Sequence, residues 1–256
     1  MWQEYLLGTD SISASQLITL IGGAMAIATY LKPASMAKYW GFDTTNEVVI
    51  WLVKQTGLVN CQMALACTLL FFLNFDPLNA IMAVFLTWII SSLHMALFID
   101  APGKPSIEQN HMHKRGQWTN VMFSTFTFVS YYLNMPWVEA LLRVSLSYAV
   151  INSFIFLFAP RVALLLWGLS DDIHGDNISL LHIHGGSHMQ ISTFALYLLR
   201  GIEPHKALGM AMTFQLFQIF LSAYVFRDYQ KLHLKKGGYN FWALLYVPLI
   251  SALLWF

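Results

Sequence analysis

Eight stretches of mostly apolar residues dominate this sequence, and each is long enough to cross a lipid bilayer. They lie at Ala14–Leu31, Val48–Leu73, Ala80–Ile99, Gln117–Leu133, Leu142–Ala159, Ile178–Leu199, Ala207–Phe226 and Phe241–Phe256. A helix needs about 20 such residues to span the hydrocarbon core. No alternation of period two recurs, so the stretches do not read as barrel strands. The predicted fold is all-α, a polytopic membrane protein of about eight transmembrane helices.

The composition agrees with a membrane environment. Hydrophobic residues make up 57% of the 256 residues and charged residues only 11%, with a net charge of +1. A soluble domain of this size carries about 25% charged residues. These values exclude a soluble globular protein, a disordered chain and a nucleic-acid binder that relies on a basic surface. The expected partner is the lipid bilayer, and no nucleic acid is expected.

A second constraint is an internal repeat. Pro33 is followed by Trp40-Gly41, and Pro160 is followed at the same distance by Trp167-Gly168, 127 residues further on. Other loop residues recur in the same register: Asp76-Pro77 with Glu203-Pro204, Asp43 with Asp171, and Asp100 with Asp228. We therefore predict a tandem duplication, with one four-helix membrane unit at 1–135 and a second at 136–256. Four spans per unit give both units the same orientation in the membrane.

The Pro-x₆-Trp-Gly element has a structural interpretation. Proline ends a regular helix or begins a new one, and tryptophan favours the depth of the lipid headgroups. Glycine permits the left-handed geometry that turns the chain back. We expect short interfacial helices at Lys32–Phe42 and Arg161–Leu169, with Trp40 and Trp167 at the same depth.

The basic residues predict the orientation. We call the side that holds the loops after spans 1, 3, 5 and 7 the odd side. It receives ten basic residues: Lys32, Lys38, Lys104, Lys114, Arg115, Arg161, Arg227, Lys231, Lys235 and Lys236. The opposite side receives Arg143, Arg200 and Lys206, and Lys54 lies inside the second span. By the positive-inside rule the odd side faces the cytoplasm or its equivalent, and both termini face the positive-poor side.

Each half loosely resembles the DoxX-like family of four-helix membrane proteins. The resemblance rests on Lys32-Pro33, Trp40-Gly41-Phe42, Gly57 in the second helix, and the Asp76-Pro77 turn before the third. It implies a membrane-embedded helical unit of a kind sometimes associated with quinol oxidases. It carries no catalytic residue over to this chain.

Histidines supply the candidate site. His182, His184 and His188 lie in the sixth span, and His94 lies near the end of the third. His184 and His188 are four residues apart and share a helical face, which is the spacing of a two-histidine metal clamp. The four histidines are therefore candidate ligands of a metal, a haem or a pigment near the odd-side surface. The alternative is that they are interfacial histidines hydrogen-bonded to headgroups, carboxylates or backbone.

Other chemistry finds less support. The spans are expected to hold no acid or base at mid-membrane depth, which disfavours an ion pump. His174 and His233 are expected on the odd side with most of the other histidines. Cys61 and Cys67 read as free buried thiols, since their spacing of six residues does not place them on one helical face.

Three functions remain open at this stage. The leading one is a non-catalytic subunit of a larger membrane complex, for example a bioenergetic one, with grooves lined by lipid, pigment or quinone. Its partners would be other membrane subunits or a second copy. The alternative is a membrane oxidoreductase or hydroxylase with a histidine-ligated metal or haem at the positive-side surface. The third is a lipid or small-solute carrier that works between the two halves.

Overall fold

All regular secondary structure in the described part of the chain is helical. The computed structural model describes residues 10–103, 105–169, 175–228 and 236–255, and no strand occurs among them. In chain order the helices are α1 Asp10–Leu31, α2 Pro33–Trp40, α3 Glu47–Phe71, α4 Pro77–Phe98, α5 Ile107–Tyr132, α6 Val138–Phe158, α7 Pro160–Leu166, α8 Gly175–Leu199, α9 Pro204–Phe220 and α10 Lys236–Trp255. A π-helical turn, Leu221–Val225, continues α9. Asp171, His174 and His233 lie outside the described residues, and so do three basic residues of the predicted odd side, Lys104, Lys231 and Lys235.

Among the described residues, five helices are long and apolar enough to cross a membrane by length and composition. They are Ala14–Leu31, Glu47–Phe71, Pro77–Phe98, Val138–Phe158 and Pro204–Val225. The chain is therefore a multi-pass helical membrane protein. The other three predicted spans correspond to α5, α8 and α10. The first turns of α5 are polar, α8 carries polar residues throughout, and the apolar part of α10 is the shorter segment Leu244–Leu254.

Helix α8 is polar because it lies in the centre of the molecule. Helices α3, α4, α6 and α9 all pack against it. Its polar side chains are buried rather than turned to lipid: Asn177, Ser179, His182, His184, Ser187, Gln190, Ser192 and Thr193. A helix surrounded by other helices does not need an apolar outer face, so hydropathy alone misses it.

The two predicted short helices are present as α2 and α7. Each begins with proline and is followed by a glycine in the left-handed region, with φ of 85° at Gly41 and 68° at Gly168. The closing hydrogen bonds also correspond, since Gly41 N donates to Lys38 O and Gly168 N donates to Leu165 O, both at about 3 Å. Trp40 and Trp167 pack against one apolar cluster that contains residues of both short helices. Both short helices therefore lie at the same end of the bundle.

Glycines set two close helix crossings. A Cβ at Gly57 would lie 2.6 Å from the backbone nitrogen of Tyr30, so α1 and α3 pack at backbone distance. A Cβ at Gly185 would lie 2.8 Å from the Cβ of Phe156, which places α8 equally close to α6. Small residues at crossings are how membrane helices approach each other. Cys61 and Cys67 are free thiols, as predicted, but only Cys67 is buried, and Cys61 is half-buried.

Candidate functional site

The central helix brings two of the four predicted ligands together. The ring centres of His184 and His188 lie 4.6 Å apart, and the rings stand edge to face at 66°. Both residues lie in the middle of α8, which runs Gly175–Leu199. The helix begins at Gly175, three residues before the predicted Ile178, so that two full turns separate its start from His184.

Hydrogen bonding at Thr56 favours one tautomer of His184. The Thr56 hydroxyl on α3 donates its one hydrogen to Leu52 O, 2.9 Å away. The same oxygen lies 3.2 Å from His184 Nδ1, so it accepts the Nδ1–H of the ring. A neutral His184 therefore carries its free lone pair on Nε2. Such a partner on the other ring nitrogen is the usual support of a metal-ligating histidine.

The second ring has an unpaired nitrogen. His188 Nδ1 is shut off from solvent and has no hydrogen-bond partner among the described residues. Trp88 of α4 stacks on the ring at a centre distance of 6.0 Å and 28°. Phe156 of α6 contacts both histidines, at 5.2 Å and 5.5 Å, and Trp167 lies 5.3 Å from His184. Aromatic walls from both halves of the chain thus enclose the pair.

His182 belongs to a separate buried group. Its Nδ1 lies 2.8 Å from Asp228 Oδ2, and the Ser179 hydroxyl donates to Asp228 Oδ1 at 3.0 Å. Phe226 stacks on the imidazole with ring centres 4.2 Å apart. Asp228 is fully buried, and it reaches α8 after the π-helical turn and a left-handed residue, Arg227, with φ of 55°. The carboxylate thus accepts two hydrogen bonds from α8.

His94 lies apart from both groups. It is exposed, and its ring contacts Phe98 with ring centres 5.6 Å apart. Within the described ranges, no three His, Cys, Asp or Glu side chains form a group that could hold a metal ion. The four candidate ligands therefore occupy three places: the His184–His188 pair, the His182–Asp228 pair, and the surface.

A fourth histidine environment was not predicted. His113, on the polar first turns of α5, is buried between Trp51 and the α7 turn, and its Nδ1 lies 3.3 Å from Trp167 O. Burial lowers the pKa of His113, an effect that the carbonyl of Trp167 partly offsets. This contact ties α5 of the first half to the Trp-Gly turn of the second.

A small cavity borders Trp88, the ring that stacks on His188. It has a volume of about 20 Å³ and is lined by apolar side chains together with Trp88 and Ser192. That volume holds a single water molecule. The hydroxyl of Ser192 and both amide atoms of Gln62 are also buried without a hydrogen-bond partner among the described residues.

Sequence reasoning missed most partners of these histidines. Thr56, Trp88 and Asp228 come from distant parts of the chain, and no local motif links them to α8. The one available signal was the recurrence of Asp100 as Asp228, which marked the position without giving its neighbour.

Comparisons with known proteins give no relative. No family model, no curated protein and no solved structure matches the chain. The resemblance to the DoxX-like family stays a prediction.

Proposed function

We propose that the chain is an integral membrane protein that binds a transition-metal ion through His184 and His188 and works as an oxidoreductase or hydroxylase. The observation that carries this proposal is the pair of imidazoles on adjacent turns of a central helix, together with His188 Nδ1, which is buried and has no hydrogen-bond partner among the described residues. A buried polar atom without a partner calls for a water or an ion. Neutral imidazole is a common ligand of zinc, copper and iron.

The distance between the rings suits a shared ion with open positions. A metal bonds imidazole nitrogen at about 2 Å, which puts it about 3 Å from the ring centre. With the ring centres 4.6 Å apart, His184 and His188 would hold one ion between them. Two protein ligands would leave positions for water, dioxygen or a substrate atom, where the ion would supply redox chemistry.

Metal analysis of the detergent-purified protein tests the proposal. We expect stoichiometric iron or copper in the wild type and loss of it in His184→Gln and His188→Gln. His94→Gln is the matched control, since His94 is exposed and apart, and it should keep the metal. Absence of metal from wild type that has been reconstituted with each ion would refute the proposal, and so would equal loss in the His94 variant.

The architecture behind the site is, in this proposal, a tandem duplication of a four-helix unit. The units are 1–135 and 136–256, in eight spans, with both termini on the positive-poor side. Backbone geometry 127 residues apart supports it. Lys32 has φ and ψ of −127° and 56°, and Ala159 has −134° and 52°. Asn74 and Gly201 are both left-handed, with φ of 52° and 77°.

Burial follows the same register. The first five buried positions of α4 (Ala80, Ile81, Met82, Val84, Phe85) correspond, 127 residues later, to the first five of α9 (Ala207, Leu208, Gly209, Ala211, Met212). Every buried position of α3 except Val48 has a buried counterpart 128 residues later in α8. Thr56 and His184 are such counterparts and also touch each other. Equivalent residues meet only on a twofold axis, so the proposed metal pair lies at the interface of the two units.

A second candidate function is a non-catalytic subunit of a larger, for example bioenergetic, membrane complex. The outward face of α5 favours it, because Gly116, Thr119 and Asn120 are exposed there, whereas α8 buries its polar groups. Polar groups at a helix surface in a bilayer are stabilised by contact with another helix. A digitonin extract on a native gel tests this role. Migration only as a monomer without a co-purifying partner would refute it.

A further inference from the structure

A lysine on the outer surface of a membrane-spanning helix is the feature that carries this inference. Lys54 is exposed on α3, seven residues after the helix begins at Glu47, which is about 10 Å along its axis. Its ammonium lies 5.3 Å over the ring centre of Tyr30, near the end of α1. The close crossing at Gly57 brings these two helices together. A cation at this depth is costly in lipid unless an anion is within reach.

Two further cations lie at the same corner of the bundle. Lys32 follows Tyr30 by two residues and precedes α2, and Lys38 is on α2 itself. Both are exposed. Neither they nor Lys54 pairs with an acidic side chain in the part of the chain that the structure describes. Helix α2 packs through Ala37 on the first turns of α3, the part of that helix to which Lys54 belongs.

Apolar surface surrounds the three lysines. Leu31 is 68% exposed and Tyr39 is 77% exposed, one at the end of α1 and the other on α2. Ile27, one turn before Leu31, is also exposed. The corner therefore places positive charge beside an apolar surface. This arrangement is complementary to an amphiphilic anion.

We propose that Lys32, Lys38 and Lys54 form a binding site for the phosphate headgroup of an anionic phospholipid. The ammonium groups neutralise the phosphate, and the acyl chains lie along the exposed side of α1. Juxtamembrane lysines attract anionic lipids, and the site lies on the side where the basic residues of the chain concentrate. The apolar surface favours a lipid over free inorganic phosphate, which has no apolar part.

The site occurs in only one half of the chain. The positions 127 or 128 residues later are Ala159, Leu165 and His182. The first two are neutral, and His182 is buried against Asp228. The three lysines therefore have no role that both halves share. They are also separate from His184 and His188, so the lipid site does not depend on the metal site.

Native mass spectrometry of the full-length protein tests the proposal, with phosphatidylglycerol and phosphatidylcholine as the probes. We expect one retained phosphatidylglycerol and no retained phosphatidylcholine. Lys54→Gln and Lys38→Gln should each weaken the retention about fivefold, the usual effect of one cation near an anionic surface. Lys54→Arg should restore it.

Lys206→Gln is the matched control. Lys206 is exposed, pairs with Glu203 and lies at the other end of the bundle, so the variant should retain lipid as the wild type does. Equal retention of both lipids, or equal loss in Lys206→Gln and Lys54→Gln, would overturn the proposal. Displacement of the lipid by millimolar inorganic phosphate would assign the site to free phosphate and overturn it as well. Size-exclusion elution identifies any variant that fails to fold, and Lys38→Gln, on the exposed side of α2, then decides the outcome.

Discussion

Replacing Gly168 by alanine should damage the protein far more than the same change at a comparable turn. Gly168 has φ of 68°, and a Cβ there would lie 2.2 Å from Gln109 O and 3.0 Å from His113 N. Both atoms belong to the backbone of α5, so they cannot rotate away. Gly201 is the matched control, since its φ is 77° and no atom lies within 4 Å of an added Cβ.

The magnitudes follow from these two situations. Alanine in the left-handed region costs about 1 kcal/mol, and that is the whole expected effect at Gly201. At Gly168 the displaced α5 backbone adds about 1–3 kcal/mol. One kcal/mol lowers the melting temperature of a chain of this size by about 3 °C. We therefore expect a decrease of about 3 °C for Gly201→Ala and of roughly 6–12 °C for Gly168→Ala.

Thermal unfolding in one detergent, followed by tryptophan fluorescence at a single scan rate, measures both decreases. Trp167 precedes the substituted glycine and reports on the turn directly. Equal melting temperatures for the two variants would refute the reasoning, because it attributes the difference to the contact between the α7 turn and α5.

Three further predictions use the same assay. Asp228→Asn should lower the free energy of unfolding by about 3 kcal/mol, because it disrupts a buried pair. Asp100→Asn, at an exposed carboxylate, should leave the melting temperature unchanged. Similar effects of the two substitutions would contradict the prediction. Gly57→Ala should destabilise by about 2 kcal/mol, since a Cβ meets backbone at 2.6 Å, and Gly23→Ala, with its nearest contact at 3.5 Å, should not. The pKa of His113 is lowered in the folded state, so the stability that this residue contributes is complete above about pH 6.5 and decreases as the pH falls. His113→Gln should therefore reduce the loss of melting temperature between about pH 7 and pH 5. An unchanged pH dependence in this variant would contradict the prediction.

The apolar stretches of the sequence predicted the positions of the helices more accurately than the residues at which the helices begin. Helix α5 starts at Ile107, ten residues before the predicted Gln117, because Ser106 and Gln109 form a capping box there. That signal is local and could have been read. The polarity of α8 has a different cause. A helix that is enclosed by other helices does not face lipid, so its side chains need not be apolar.

Only the part of the site that is formed by residues close together in the sequence could be predicted. The spacing of four residues between His184 and His188 places both on one helical face, as the structure has them. Asp228 lies 46 residues from its partner His182, and Thr56 lies 128 residues from His184. Contacts over such separations depend on how helices pack, and no pattern within one helix specifies that.

The contact between Thr56 and His184 has an evolutionary consequence under the proposed duplication. In a dimer of two identical units, a residue on the symmetry axis always contacts its own copy. Any substitution at that position therefore changes both sides of the contact at once. Joining the units in one polypeptide releases that restriction. A hydroxyl can then evolve opposite an imidazole, each fitted to the other. The histidine pair of α8 has Thr56 and Asn60 as its counterparts in α3, which is the asymmetry that a fused chain permits and a symmetric dimer forbids.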